Sequence, residues 1–90
     1  MATLAFNKVG DAYVAEFETP ADFNLHIEQE QPGGVLVYQR TAGAQYGLIK
    51  ETASFQGAVL DVDFMGGIFP KSIKVVCSHQ PSVAIVTTNA

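Results

Sequence analysis

Apolar and polar residues alternate along most of the chain, which is the pattern of β-strands that bury one face. The first two alternating runs, Thr3–Val9 and Ala12–Glu18, flank the pair Gly10-Asp11. This arrangement predicts a hairpin with a two-residue turn, because glycine readily adopts the positive φ of a type II′ turn. The predicted register pairs Val9 with Ala12, Phe6 with Ala15 and Leu4 with Phe17.

The next run, Phe23–Glu30, also alternates. Its apolar residues Phe23, Leu25 and Ile27 share one face, and the other face carries Asn24, His26, Glu28 and Glu30. If Phe23 lies opposite Phe17, this strand extends the apolar face of the hairpin into a three-stranded meander with one solvated side.

Short strands separated by turn residues follow in the rest of the chain. They are predicted at Val35–Arg40, Tyr46–Lys50, Ala53–Phe55 and Ala58–Phe64, and in a last hairpin of Ser72–Ser78 with Val83–Thr88. The breaks between them are Gln31–Gly34, Thr41–Gln45, Gln56-Gly57, Met65–Gly67 and His79–Ser82. Seven or eight short strands at this spacing predict a single all-β domain over residues 1–90, a small antiparallel β-sandwich, with a small β-barrel as the alternative.

The last hairpin is apolar on both faces, which predicts a contact between subunits. Ile73, Val75 and Cys77 alternate on one face, so the residues predicted to lie outside the core are Val76, Ala84 and Val86. Exposed β-branched rows on strands favour pairing with another chain unless lysine or proline interrupts them. These three residues are therefore the predicted interface of a homo-oligomer.

Composition supports a protein partner. Hydrophobic residues make up 48% of the chain and charged residues 16%, against about 25% charged residues in a typical domain. The net charge is −4 and the five basic residues are scattered, which excludes the clustered positive charge that nucleic-acid binding requires. Neither a signal peptide nor an apolar run long enough to span a membrane is evident, so we expect a protein made in the cytoplasm.

The sequence offers little for catalysis or metal binding. Cys77 continues a row of apolar residues and is predicted to be a buried, unreactive thiol, although His79 follows two positions later. Asp61 and Asp63 resemble only the first ligands of a calcium loop, and two histidines with one cysteine do not supply a transition-metal site. We therefore predict no enzyme, no cofactor and no metal.

The alternative to an assembly role is a small ligand-binding β-sandwich, such as a carbohydrate-binding or adhesion-type module. Such modules use exposed aromatic side chains, and Tyr13, Tyr38 and Tyr46 are available. Tyrosines on strands are more often half-buried parts of the sheet. An assembly module is therefore the favoured prediction.

The segments Tyr13–Glu18, Phe23–Glu28 and Gln39-Arg40 resemble small β-rich structural proteins of tailed phages and prophages, which decorate the head or form accessory parts of the virion. The resemblance covers about the first 40 residues and includes no diagnostic motif. It implies a non-enzymatic structural protein that becomes part of the virion, and it assigns no site residues.

Overall fold

The computed structural model describes residues 2–19, 22–41, 45–54, 57–64 and 71–89. These residues form nine β-strands and no helix. The strands are Ala2–Thr3 (β1), Asn7–Val9 (β2), Ala12–Thr19 (β3), Asp22–Gln29 (β4), Gly33–Thr41 (β5), Gly47–Ser54 (β6), Ala58–Phe64 (β7), Lys71–Cys77 (β8) and Val83–Asn89 (β9).

The strands form two antiparallel sheets that pack face to face. One sheet has the order β1-β9-β4-β7 and the other the order β2-β3-β8-β5-β6. Two separate sheets around a shared core confirm the predicted β-sandwich over the alternative of one closed sheet.

The first hairpin forms with the predicted turn, but its first strand is shorter than predicted. Val9 pairs with Ala12, and Gly10 has a φ of +61°, as a type II′ turn requires at its first central position. Residues 4–6 leave the hairpin, and the amide of Leu4 donates to the carbonyl of Ala84 in the other sheet at 2.9 Å. The predicted pairings of Leu4 and Phe6 are therefore wrong, although both side chains still pack against the core.

The predicted three-stranded meander is also wrong, because β4 belongs to the opposite sheet. It pairs with β7 and β9 rather than with β3. Phe17 and Phe23 nevertheless meet, edge to face across the core, with ring centroids 5.7 Å apart. The alternation along β4 identified its buried face correctly, since Phe23, Leu25 and Ile27 are all buried.

The middle of the chain contains one strand where two were predicted. The predicted strand Tyr46–Lys50 and the first two residues of the predicted strand Ala53–Phe55 fall on the single strand β6, Gly47–Ser54. Phe55 lies outside the described residues. Of the predicted turn between β6 and β7, Gly57 has a φ of +103°, while Gln56 lies outside the described residues. The predicted break at Met65–Gly67 also lies outside them.

The last two strands do not form a hairpin. β8 pairs with β3 and β5, whereas β9 pairs with β1 and β4 in the other sheet. Ala84 and Val86, each 6% exposed, consequently face the core that Val75 and Cys77 face from the opposite side. The prediction that Ala84 and Val86 lie outside the core is wrong, because both strands bury one face in the same interior.

A buried glutamine fixes one end of the sandwich. Gln29, 2% exposed, donates from Nε2 to Ser78 Oγ at 2.9 Å and to the carbonyl of Gln31 at 3.1 Å. Its Oε1 accepts from the backbone amide of His79 at 3.0 Å. Gly33, at φ +143°, is required beside this group, because a Cβ there would collide with Ser78 Oγ. The hydrogen bonds tie the crossover after β8 to the β4–β5 connection.

Candidate functional site

An aliphatic patch lies on the outer face of the five-stranded sheet. Val14, Val76 and Leu36 are direct neighbours across β3, β8 and β5, and each is only half-buried. Val9 on the adjoining strand β2 is 61% exposed. We call Val9, Val14, Leu36 and Val76 the aliphatic patch. Val9 lies on an edge strand, whereas the other three residues lie on the three central strands of the sheet.

Charged and aromatic residues border the aliphatic patch along the same three strands. The next row pairs Glu16, Lys74 and Tyr38, and the row beyond it aligns Glu18 and Arg40 on either side of Ser72. β3 therefore carries the acidic groups of these rows, and β5 carries an arginine in the same row as Glu18.

The cations of this border are held by tyrosine rings. Arg40 lies 4.6 Å from the ring centroid of Tyr46, and Lys74 lies 4.6 Å from Tyr46 and 5.3 Å from Tyr38. Cation–π contacts of this length attract the charge to the ring face. Lys74 therefore leans away from β8 toward β5 and β6.

A shallow depression lies at the charged end of this face. Its volume is about 150 Å³, and its lining residues are Glu16, Phe17, Glu18, Arg40, Tyr46 and Ser72. The depression is open to solvent, and its lining combines two carboxylates with one guanidinium group.

The outer face of the other sheet carries a carboxylate–histidine cluster. Asn24 donates from Nδ2 to Asp61 at 2.8 Å and to Asp63 at 2.9 Å. His26 places Nδ1 3.0 Å from Asp61 and Nε2 2.9 Å from Glu28. Because both ring nitrogens face carboxylates, the protonated imidazolium satisfies both contacts, whereas a neutral ring donates only one.

The cluster shifts the titration of two of its members. Hydrogen bonds to Glu28 and then to Asp61 raise the pKa of His26 above 6.5. Hydrogen bonds from Asn24 and then from His26 lower the pKa of Asp61 below 3.8. Hydrogen bonds between side chains of the neighbouring strands β4 and β7 hold most of this cluster together. Among the described residues, no three His, Cys, Asp or Glu side chains are arranged to hold a metal ion.

We expect this cluster to make stability depend on pH. The contribution of His26 is complete below pH 6.5 and is lost as pH rises through its raised pKa. The contribution of Asp61 is complete above pH 3.8 and is lost as pH falls through its lowered pKa. Wild type should therefore exceed His26→Gln in melting temperature most clearly between pH 3.8 and pH 6.5, and this margin should shrink as pH rises through the raised pKa of His26. A margin that does not change with pH would contradict the ion pairs, and His79→Gln is the matched control.

Cys77 and His79 do not form a reactive pair. Cys77 is fully buried, and burial raises the pKa of its thiol to about 12. His79 is exposed and its backbone is held by Gln29. The prediction that Cys77 is an apolar core residue agrees with this position.

We therefore expect native Cys77 to react with an aromatic disulfide reagent at neutral pH far more slowly than the same residue in urea. The reagent attacks a thiolate that is accessible to solvent, and this thiol is neither exposed nor ionised. Release of the chromophore measures both rates. Equal rates in native and unfolded protein would contradict the burial of Cys77.

Of the three predicted interface residues, only Val76 lies on an outer face. Its neighbours Val14 and Leu36 were not part of that prediction, although Val35-Leu36-Val37 is apolar at three successive positions. Such a run indicates a strand with apolar groups on both faces. The grouping of Arg40, Tyr46 and Lys74 depends on strand order, and the sequence carries no local signal for it.

The described part of the chain has no helix that is long and apolar enough to cross a membrane. Comparison of the chain with models of protein families, with curated proteins and with solved structures found no match.

Proposed function

We propose that the protein is a non-enzymatic assembly module that associates with copies of itself through the outer face of its five-stranded sheet. The observation that carries this proposal is the aliphatic patch: Val14, Val76 and Leu36 form a continuous row across three central strands. Contiguous apolar groups on a protein surface mark contact sites. Virion accessory proteins, which the first 40 residues resemble, are the class of assembly module that we propose.

The face of this sheet is better suited to association than its edge. In the edge strand β6, Lys50 lies opposite the buried Val37, so a charged group occupies a position on the core side of the strand. The pairing of β5 with β6 is also interrupted by a register shift between Val37 and Tyr38. Inward-pointing charges and bulges are features that discourage pairing along an edge.

The alternative is a small glycan-binding module that uses the depression beside Tyr46. Sugar binding commonly requires an aromatic ring face that is free to stack. Cations already contact the rings of Tyr38 and Tyr46, and both tyrosines are half-buried. The tyrosine rings therefore favour the assembly role over glycan binding.

Light scattering coupled to size exclusion tests the proposal. Wild type at tens of micromolar, the order of magnitude for a weak contact, should show a mass that is a multiple of 9.6 kDa. Val76→Lys should be a folded monomer, because it places a charge at the centre of the aliphatic patch.

The matched control is Val59→Lys. Val59 is 62% exposed and lies on the outer face of the four-stranded sheet, so this variant should keep the wild-type mass. A monomeric wild type would overturn the proposal, and saturable binding of a glycan by that monomer would favour the alternative. If both lysine variants were monomeric, association through the outer face of the five-stranded sheet would also be contradicted.

A further inference from the structure

We infer that the assembling unit is a two-fold dimer in which two five-stranded sheets stack with β8 along the symmetry axis. This inference rests on the proposed self-association and adds its geometry. It follows from the order of residues on the outer face, where β3 and β5 flank β8 on either side.

Residues of β3 and β5 lie in common rows, because each row shares one residue of β8. Val14 and Leu36 both neighbour Val76, and Glu18 and Arg40 both neighbour Ser72. A two-fold rotation about an axis along β8 exchanges the positions of β3 and β5 between the copies. Each residue of β3 in one copy is therefore placed over the β5 residue of the same row in the other copy.

This rotation makes the aliphatic patch complementary to itself. Val76 meets Val76 of the second copy on the axis, and Val14 meets Leu36. The contact buries aliphatic side chains that a single chain leaves half-exposed. Aligned stacking of two twisted sheets is a common packing of β-layers.

The same rotation pairs opposite charges. Glu18 of one copy faces Arg40 of the other, because both flank Ser72. Both side chains are exposed, and Arg40 is held over Tyr46. The dimer would contain this pair twice, once on each side of the axis.

Lys74 fits the same arrangement although it lies on β8. The two Lys74 side chains would repel each other if they pointed along the axis. Each instead leans over Tyr38 and Tyr46 of its own chain. That position faces β3 of the second copy, where Glu16 occupies the row of Tyr38. The lysines therefore leave the axis in opposite directions, each toward a glutamate.

The size of the molecule is sufficient for such a contact. The chain extends 37 × 25 Å along its two longest axes. A standard interface uses roughly 800 Å² of each partner, and a sheet face of these dimensions is of that order.

Charge reversal tests the geometry. Glu18→Arg and Arg40→Glu should each weaken self-association by about tenfold or more, because each turns two attractive contacts of the dimer into repulsive ones. The double variant Glu18→Arg with Arg40→Glu should return the dissociation constant to within about threefold of wild type, since opposite charges again face each other. Sedimentation equilibrium gives the constants. Both positions are exposed, so the fold should tolerate the changes, and a thermal melt of each variant confirms this.

The matched control is Glu30→Arg, which reverses an exposed charge directly after β4 and should leave association unchanged. If wild type associates but the single reversals behave like this control, or the double variant does not recover, the two-fold geometry is wrong while the assembly role stands. If wild type does not associate at all, the assembly role itself fails.

Discussion

Replacing Phe23 with alanine should destabilise the protein by about 3–5 kcal/mol, the cost of removing a large aromatic side chain from a packed core. Phe23 is 1% exposed. Its ring stacks on that of Phe64 with centroids 5.1 Å apart and lies perpendicular to that of Phe17 with centroids 5.7 Å apart. The alanine variant would lose both ring contacts and leave a cavity between the sheets. For a domain with a total stability of about 5–10 kcal/mol, this loss is severe.

Urea denaturation followed by circular dichroism measures the effect. Phe17→Ala is the comparison variant, because Phe17 packs on the same ring but is only half-buried. We expect it to cost less than Phe23→Ala, since part of its surface already contacts water. A loss below 1 kcal/mol for Phe23→Ala would mean that the two sheets do not pack around this residue.

Val86→Lys should destabilise the fold severely, whereas Val76→Lys should be tolerated. Val86 is 6% exposed and packs in the core, so lysine there buries a charge without a partner, at a cost of about 4 kcal/mol or more. Val76 lies on the outer face of β8, where the lysine ammonium reaches water and the cost should be within about 1 kcal/mol.

Thermal melts at low micromolar concentration compare the two variants without the contribution of self-association. This pair separates the observed topology from a β8–β9 hairpin, in which Val76 and Val86 would share an outer face. Equal tolerance of both lysines would favour that hairpin and contradict the assignment of β9 to the four-stranded sheet.

The alternation of the sequence predicted the buried faces of β3, β4 and β8, although not that of β9, because alternation depends only on local spacing. It identified Phe23, Leu25 and Ile27 as core residues, and the turn at Gly10 with Val9 opposite Ala12. These features do not depend on which strand is the neighbour.

Strand partners could not be predicted in the same way. β3 and β4 lie in different sheets, and so do β8 and β9. Between β8 and β9 the amide of Ser82 donates to the carbonyl of Glu28 at 2.8 Å. A strand that crosses the sandwich buries the same residues as one that folds back beside its predecessor. Phe17 and Phe23 are therefore in contact, as predicted, although the contact forms between the sheets rather than within one sheet.

The candidate site was only partly predictable for the same reason. Val76 was identified from the apolar positions on both faces of β8. The aliphatic patch and its charged border require β3 and β5 on either side of that strand. The order of these strands depends on long-range pairing, which a local pattern does not encode.

The outer face of the five-stranded sheet is most directly tested by a cysteine at its centre. Treated with a short bifunctional thiol reagent, Val76→Cys should form a covalently linked dimer on denaturing electrophoresis. The two-fold axis brings position 76 of both copies to about the 10 Å spacing of stacked sheets, a gap that such a reagent spans and a direct disulfide does not. The native Cys77 is buried and should not contribute. Val59→Cys, on the opposite face of the molecule, is the matched control and should remain monomeric on the gel. Efficient cross-linking of Val76→Cys alone is the expected result, and cross-linking that is absent or no greater than that of Val59→Cys would contradict association through this face.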